Sequence, residues 1–180
     1  MASDAQLVER CLRGETTAFD TLVARYRDRV FSLAFRILGE ASAAEDAAQE
    51  AWLRAYTRLP MYDPAQPFST WLLCLTARVC LNARRARQTE QQYTERAAKA
   101  QPPTPTLEER IYERERQRTL QRLLLRLPVL QRAAVLLYYY EGLSVSEVAR
   151  ALDVPEGTVK TWLYRARESL RQWLQEELGE

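Results

Sequence analysis

Histidine is missing altogether from the 180 residues of this chain. Its absence removes the commonest general base and the usual nitrogen ligand of zinc. Cysteine is scarce and odd in number: Cys11, Cys74 and Cys80 form no CxxC pair. That count builds neither a disulfide framework nor a thiolate metal site. The three are read as small buried thiols of a reducing cytoplasm, with a redox role as the alternative. No Ser/His/Asp set, phosphate-binding glycine loop or metal-ligand cluster is present, so an enzyme is a poor starting hypothesis and no cofactor or metal is expected. No apolar run reaches the roughly 20 residues that a membrane span needs. The first residues, "MASDAQLVERCLRG", are charged from Asp4 onward and lack the apolar segment of a signal peptide. A cytoplasmic protein with no membrane contact of its own is the expectation.

Glycine is also rare, at five residues, and strand-like runs are few, while apolar residues make up 47 %. Abundant Ala, Leu, Arg and Glu with a core-forming apolar share predict an all-α fold. The most strand-like run, "AVLLYYY" at 134–140, continues a helical pattern with no partner strand, and is read as helix. Net charge is only +2. The positive excess is local, in "ARVCLNARRAR" (77–87, four arginines and no acid) and along the last helix. Local basic faces on a balanced chain point to a specific polyanion contact rather than general adhesion.

Apolar residues at Phe19, Leu22, Val23, Tyr26, Val30, Leu33 and Ile37 fall at steps of three and four, predicting a helix over about 17–38 that stops at Gly39. "SAAE" (Ser42 to Glu45) reads as a capping box opening a second helix, which ends near Leu59-Pro60. A loop with three prolines, "PMYDPAQPFS", leads to a third helix, "TWLLCLTARVCLNARRAR". Residues 88–106 then lose core-forming side chains and end in prolines, the composition of a tether that orders poorly alone. "TLEE" (Thr106 to Glu109) reads as another capping box, Pro128 as the opening of a helix over 128–140, and "SVSE" (Ser144 to Glu147) as a third box. The expected organisation is two small helical domains, 1–87 and 107–180, joined by a flexible linker over 88–106.

Within "GLSVSEVARALDVPEGTVKTWLYRARESLRQ" (142–172), Val148, Leu152, Val154, Val159 and Trp162 are spaced as in a helix-turn-helix, with Ala149 where the helices approach. Asp153 occupies the turn, where glycine is commonest, and tolerates left-handed geometry better than most residues. On the second helix Val159, Leu163, Ala166 and Leu170 share one face. Lys160, Thr161, Tyr164, Arg165, Glu168 and Arg171 point the other way, after Thr158 at the helix head. Cations, a hydroxyl and an aromatic suit phosphates and bases together. The competing interpretation is a solvated basic face.

Two further faces stand out. On the second helix the buried stripe runs through Ala44, Ala48, Ala51, Trp52, Ala55 and Leu59, with Asp46, Gln49 and Glu50 roughly opposite and Leu53 among them. Acids around one leucine resemble a protein-docking face, against the alternative of a plain solvated surface. On the third helix Trp71, Arg78, Asn82 and Arg85 lie within about 60° of one another. A basic and amide stripe headed by tryptophan suits single-stranded or melting DNA. The loop 60–69 at its head, with Met61, Tyr62 and Phe68, could form a pocket for an extruded base. The alternative is that these aromatics are core or loop anchors.

In this order the pieces resemble a bacterial RNA polymerase sigma factor of the extracytoplasmic-function (group IV) type, over nearly the whole chain. "AEDAAQEAWLRAY" (44–56) is similar to the polymerase-binding signature of region 2, and "FSTWLLCLTARVCLNARRAR" (68–87) to its promoter-melting helix. "LPVLQRAAVLLYYYEGLSVSEVARALDVPEGTVKTWLYRARESLR" (127–171) is similar to region 4. The resemblance implies a subunit that directs core RNA polymerase to promoters. Asp46, Gln49, Glu50 and Leu53 would dock on the clamp helices of the largest subunit. Tyr62, Phe68, Trp71, Arg78, Asn82 and Arg85 would serve the melted −10 element. Thr158, Lys160, Thr161, Tyr164, Arg165 and Arg171 would read the −35 duplex, with region 4 on the flap of the other large subunit. The tether would thread the polymerase cleft, and an anti-sigma factor is a further implied partner. Arg78 stands where many members have asparagine, and Trp162 where many have arginine. The flank position of Trp162 suits packing better than phosphate contact. The rival is a two-domain helix-turn-helix regulator of the response-regulator type, which needs an α/β receiver, and no such alternation occurs in 1–100. A helical adaptor with solvated basic faces is a second rival.

Overall fold

The computed structural model describes residues 2–91 and 109–178, with side chains over 2–87 and 118–177. The expected tether beyond Gln91 and the box at Thr106 to Glu109, up to residue 108, lie outside the described residues. Every regular element among the described residues is helical. The first unit holds α1 (Asp4–Leu12), α2 (Thr16–Leu38), α3 (Ala41–Arg58), a 3-10 turn (Leu59–Met61) and α4 (Phe68–Gln91). The second holds α5 (Glu109–Arg126), α6 (Val129–Val135), a π-helical turn (Leu136–Tyr140), α7 (Val145–Leu152) and α8 (Glu156–Leu178).

In the first unit α2, α3 and α4 pack mutually and α1 lies along α2. Leu22, Val30, Leu33 and Ile37 of α2 meet Ala44, Ala51 and Ala55 of α3 and Leu72 and Leu73 of α4 in one buried core. The alanine stripe lets α3 approach closely, while each buried Leu or Ile contributes about 1.5–3 kcal/mol by leaving water. Gly39 ends α2 at φ 79°, its N–H donating to Phe35 O at 2.8 Å, as a left-handed cap requires. A Cβ added there would come within 2.6 Å of Leu125 Cδ2. That side-chain end can yield, so the positive φ sets most of the cost. Gly39→Ala is expected to lower stability by about 1 kcal/mol, read as a drop of about 2–4 °C in the thermal midpoint.

One expectation is corrected here. Ser42 does not cap α3: the N-cap is Glu40, which makes no side-chain cap bond, and the Ser42 hydroxyl donates to Glu40 Oε1 at 2.7 Å. Only Glu40 separates Gly39 from the helix, so α3 starts one residue earlier and Ser42 is already inside its first turn. Glu40 also accepts from Arg87 of α4 at 2.9 Å. The serine bond, and Arg87 beside it, hold its carboxyl below the usual range. Helix α1 has no counterpart in the sequence reading, although its signature is visible in "SDAQ". Ser3 Oγ accepts from Gln6 N–H and Gln6 Oε1 from Ser3 N–H, a complete capping box.

In the second unit Ser144 and Glu147 form the expected reciprocal box at the head of α7, and those bonds to Ser144 lower the Glu147 pKa. Pro128 is the N-cap of α6, one residue outside the helix it was expected to open. The 134–140 run is helical as expected, but its last turn is wound wide, with Glu141 N–H donating to Leu136 O at 3.1 Å.

The two units are in contact. α4 lies against α7, and α2 against α5 and α6. Arg132 of α6 is buried without an acid partner and instead donates to four carbonyls. These are Leu124 O at 2.8 Å, Leu125 O at 2.8 Å, Leu127 O at 3.0 Å and, across the boundary, Ile37 O. Burial and the neighbouring Arg84 push its pKa down to about 10, which leaves it protonated at neutral pH.

Candidate nucleic-acid interface

The helix-turn-helix is built from α7 and α8. Val148, Ala149, Ala151 and Leu152 bury one face of α7. Asp153 ends the helix at φ 56° and ψ 52°, the left-handed geometry its place in the turn predicted. Val159, Leu163 and Ala166 are buried on α8, with Leu170 half-buried beyond them. The opposite face carries Lys160, Thr161, Tyr164, Arg165 and Arg171, all exposed, and Thr158 is half-buried at its head. The Thr161 hydroxyl donates to Gly157 O at 2.9 Å, so its oxygen is left as an acceptor toward a partner. Arg167 stands 5.9 Å from the centre of the Tyr164 ring. Trp162 is half-buried and packed on the core, as its flank position implied.

On α3 Asp46 and Gln49 are exposed, and Leu53 is 60 % exposed. Glu50 is half-buried and accepts from Arg54 Nε at 2.5 Å, one helical turn away. Tyr56, next along the strip and missed in the sequence, is 49 % exposed, with Phe19 edge-on to it at 5.0 Å. Both side chains are visible as a continuation of the i, i+3 spacing from Leu53.

The loop and α4 form the third face. Tyr62, Phe68 and Trp71 make a cluster with ring centres 5.3–5.8 Å apart. Phe68 is only 2 % exposed and also meets Tyr26, so it anchors the loop and in this arrangement offers no free ring face. Tyr62 is half-buried and donates to Gln66 O at 2.5 Å; burial, then Asp4 and Asp63, raise its pKa. Met61 at the loop tip is 82 % exposed. Asn82 and Arg85 are exposed on α4. Trp71 lines a groove of about 560 Å³ between the two units, with Arg58, Met61, Arg78, Glu147 and Arg150. Arg78 crosses that boundary, donating from Nε to Ala151 O at 2.8 Å and from its terminal nitrogen to Arg150 O. The structure therefore brings Trp71 and Arg78 together beneath α7 and leaves Asn82 and Arg85 outside it.

The thiols stand apart from these faces. Burial pushes Cys74 up to about 11 and Cys80 up to about 12, and raises Cys11 as well. All three are free, and at neutral pH they are held in the unreactive protonated form. Among the described residues no cluster suits a metal ion, and no helix is long and apolar enough to cross a membrane.

A basic helix-turn-helix on one helical unit and an acidic strip beside an aromatic, arginine-lined helix on another define a DNA-binding protein with a separate protein-docking face. The comparisons carry this further. The Sigma-70 region 2 profile matches residues 22–90 and the Sigma-70 region 4 profile residues 117–170. The chain is 32 % identical to the ECF RNA polymerase sigma factor SigW of Bacillus subtilis, covering 94 % of this chain and 95 % of that protein. It is 34 % identical to the RNA polymerase sigma-H factor of Pseudomonas aeruginosa, over 98 % and 96 %. In fold it is similar to CnrH in complex with the cytosolic domain of CnrY, with a TM-score of 0.67 at 22 % identity over 97 % and 99 % of the two chains. RpoE in complex with the anti-sigma factor NepR from Bartonella quintana gives 0.68 at 20 % identity, over 87 % and 96 %. The chain belongs to the extracytoplasmic-function group of the sigma-70 family. It acts with core RNA polymerase to direct transcription initiation at promoters, and is a specificity subunit rather than an enzyme.

Proposed function

We propose that residues 1–87 and 107–180 divide promoter recognition between them, each unit making contacts too weak to act alone. Asp46, Gln49, Glu50 and Leu53 of α3 dock on the clamp helices of the largest polymerase subunit. Trp71, Arg78, Asn82 and Arg85 of α4, with the Tyr62 and Phe68 loop, serve the melted −10 strand. Thr158, Lys160, Thr161, Tyr164, Arg165 and Arg171 of α8 read the −35 duplex while the second unit rests on the flap of the other large subunit.

The observation that carries this reading is the exposure of a cationic, hydroxyl-bearing face on α8 together with a separate acidic strip containing a 60 % exposed leucine on α3. Phosphates and base edges call for the first, a basic protein surface with a small apolar pocket for the second. Linking two modest readers through polymerase raises their combined affinity by effective concentration. An anti-sigma factor as a controlling partner, and a cytoplasmic site of action, fit the same reading. Permanganate footprinting with the reconstituted holoenzyme on a genomic promoter library tests it. Thymines upstream of the start sites should become reactive only when this chain is present. A holoenzyme that assembles yet melts no promoter in the library would overturn the division of labour.

A further inference from the structure

The boundary between the units is closed by arginines that cap helix ends. Arg78 leaves α4 and donates to Arg150 O and Ala151 O at the C-terminal end of α7. Arg132 leaves α6 and donates to Ile37 O at the C-terminal end of α2. The last carbonyls of a helix have no intrahelical donor and carry the negative end of its dipole. A guanidinium supplies planar donors and a charge that stays on at any ordinary pH. Each unit thus lends one arginine to an open helix end of the other. Arg132 is already held by three carbonyls of its own unit, so its cross-boundary donor is set in place before the units meet.

We propose that this reciprocal pair is a clasp that holds the free chain closed and withholds part of the −10 face until polymerase is engaged; the second half of this statement rests on the functional reading above. In the closed form α7 lies over α4. Two nitrogens of Arg78 are committed to its carbonyls, and Trp71 faces the groove beneath it. A single strand running along Trp71, Arg78, Asn82 and Arg85 would occupy the space that α7 fills. The α8 face and the α3 strip remain exposed. The order that follows is docking through α3 first, release of α7 second, and −10 reading last. The rest of the boundary suits a contact made to open. Arg29 pairs with Glu141 at 2.6 Å, Arg36 lies 4.2 Å over the Tyr140 ring, and both involve side chains on the solvent side. Polar contacts of this sort allow domains to separate. The apparent affinity for any partner of the covered face is reduced by the fraction of molecules that are open.

The full free chain decides the matter in solution. Small-angle X-ray scattering of the unaltered chain should give the radius of gyration of the closed arrangement. Arg78→Ala combined with Glu141→Arg should raise it by several ångströms, with the circular dichroism unchanged. Adding Arg29→Glu restores the ion pair with its signs exchanged, and should bring back at least half of the compaction. Hydroxyl-radical labelling of Trp71, read by mass spectrometry, should rise several-fold in the opened variant and stay level at Tyr164. An unaltered chain that is already extended, or a double variant that stays compact, overturns the clasp. Expansion without increased labelling of Trp71 overturns the masking. Neither readout involves polymerase, so a failed polymerase pull-down would strike the functional reading and leave the clasp standing.

Discussion

A chain carrying Asp46→Lys and Glu50→Lys is expected to lose its hold on core RNA polymerase by a hundredfold or more while keeping its fold. Asp46 is exposed, and Glu50 has one bond, to Arg54, with both side chains about two-fifths exposed. Reversing Glu50 exchanges an i, i+4 attraction for a repulsion of roughly 0.5 kcal/mol on the helix surface. The alanine stripe that seats α3 is untouched. At a docked interface the balance differs, because like charges brought together across it cost several kcal/mol. Two reversals beside the same apolar anchor therefore weigh far more on binding than on stability. Co-elution with core polymerase, with circular dichroism as the fold control, gives the answer. Retention within about threefold of the unaltered chain would remove α3 from the docking surface.

The second large effect concerns stability. Arg132→Met should lower the unfolding free energy by about 3 kcal/mol or more, since hydrogen bonds to a charged donor contribute roughly 1.5–3 kcal/mol each. Methionine fills much of the volume but leaves the carbonyls of Leu125, Leu127 and Ile37 without this donor. Leu124 O keeps a second bond, from Leu127 N–H at 3.1 Å, so the loss stops short of four full bonds. For a chain of this size the thermal midpoint should fall by about 6–12 °C. Arg132→Lys retains the charge but presents a point donor where a planar fork is needed, and should recover less than half of the loss. Calorimetry checks both variants; a midpoint within about 2 °C of the unaltered chain for Arg132→Met would mean that water replaces the guanidinium freely.

The patterns legible in the sequence are those fixed by local spacing. The stripe from Phe19 to Ile37, the stop at Gly39, the Ser144 box and the left-handed Asp153 are each set by neighbours within a turn or two. All appear where the residues place them. The division of α8 into a buried and an exposed face follows from the same periodicity. Ser42 shows the limit: a capping box is a three-residue signal, and it gave way to the one-residue connection at Glu40. The "SDAQ" signal was equally local and went unread because its segment is short. The contacts that close the two units join residues some seventy to over a hundred positions apart, Arg78 with Arg150 and Ala151, Arg132 with Ile37, and Arg29 with Glu141. An arginine on an exposed stripe looks the same in sequence whether it awaits phosphate or caps a helix. Arg78 was therefore read only as a DNA residue, and Arg132 was not singled out. Phe68 is a related case: an aromatic in a proline-rich loop can serve as a platform or an anchor, and its burial is decided by Tyr26 on another helix.

The wide turn at Leu136–Tyr140 has a consequence for how the chain can change over generations. A π turn is an α-helix carrying one residue more than its ladder needs. Loss of a single codon between Tyr138 and Tyr140 would tighten it to ordinary α geometry without breaking the helix. The same loss would turn the rest of the run by about 100°, moving the paired Glu141 off Arg29 and the Tyr140 ring from under Arg36. One in-frame deletion there is thus a short genetic route to a looser pairing of the two units, with the helix-turn-helix behind it left intact.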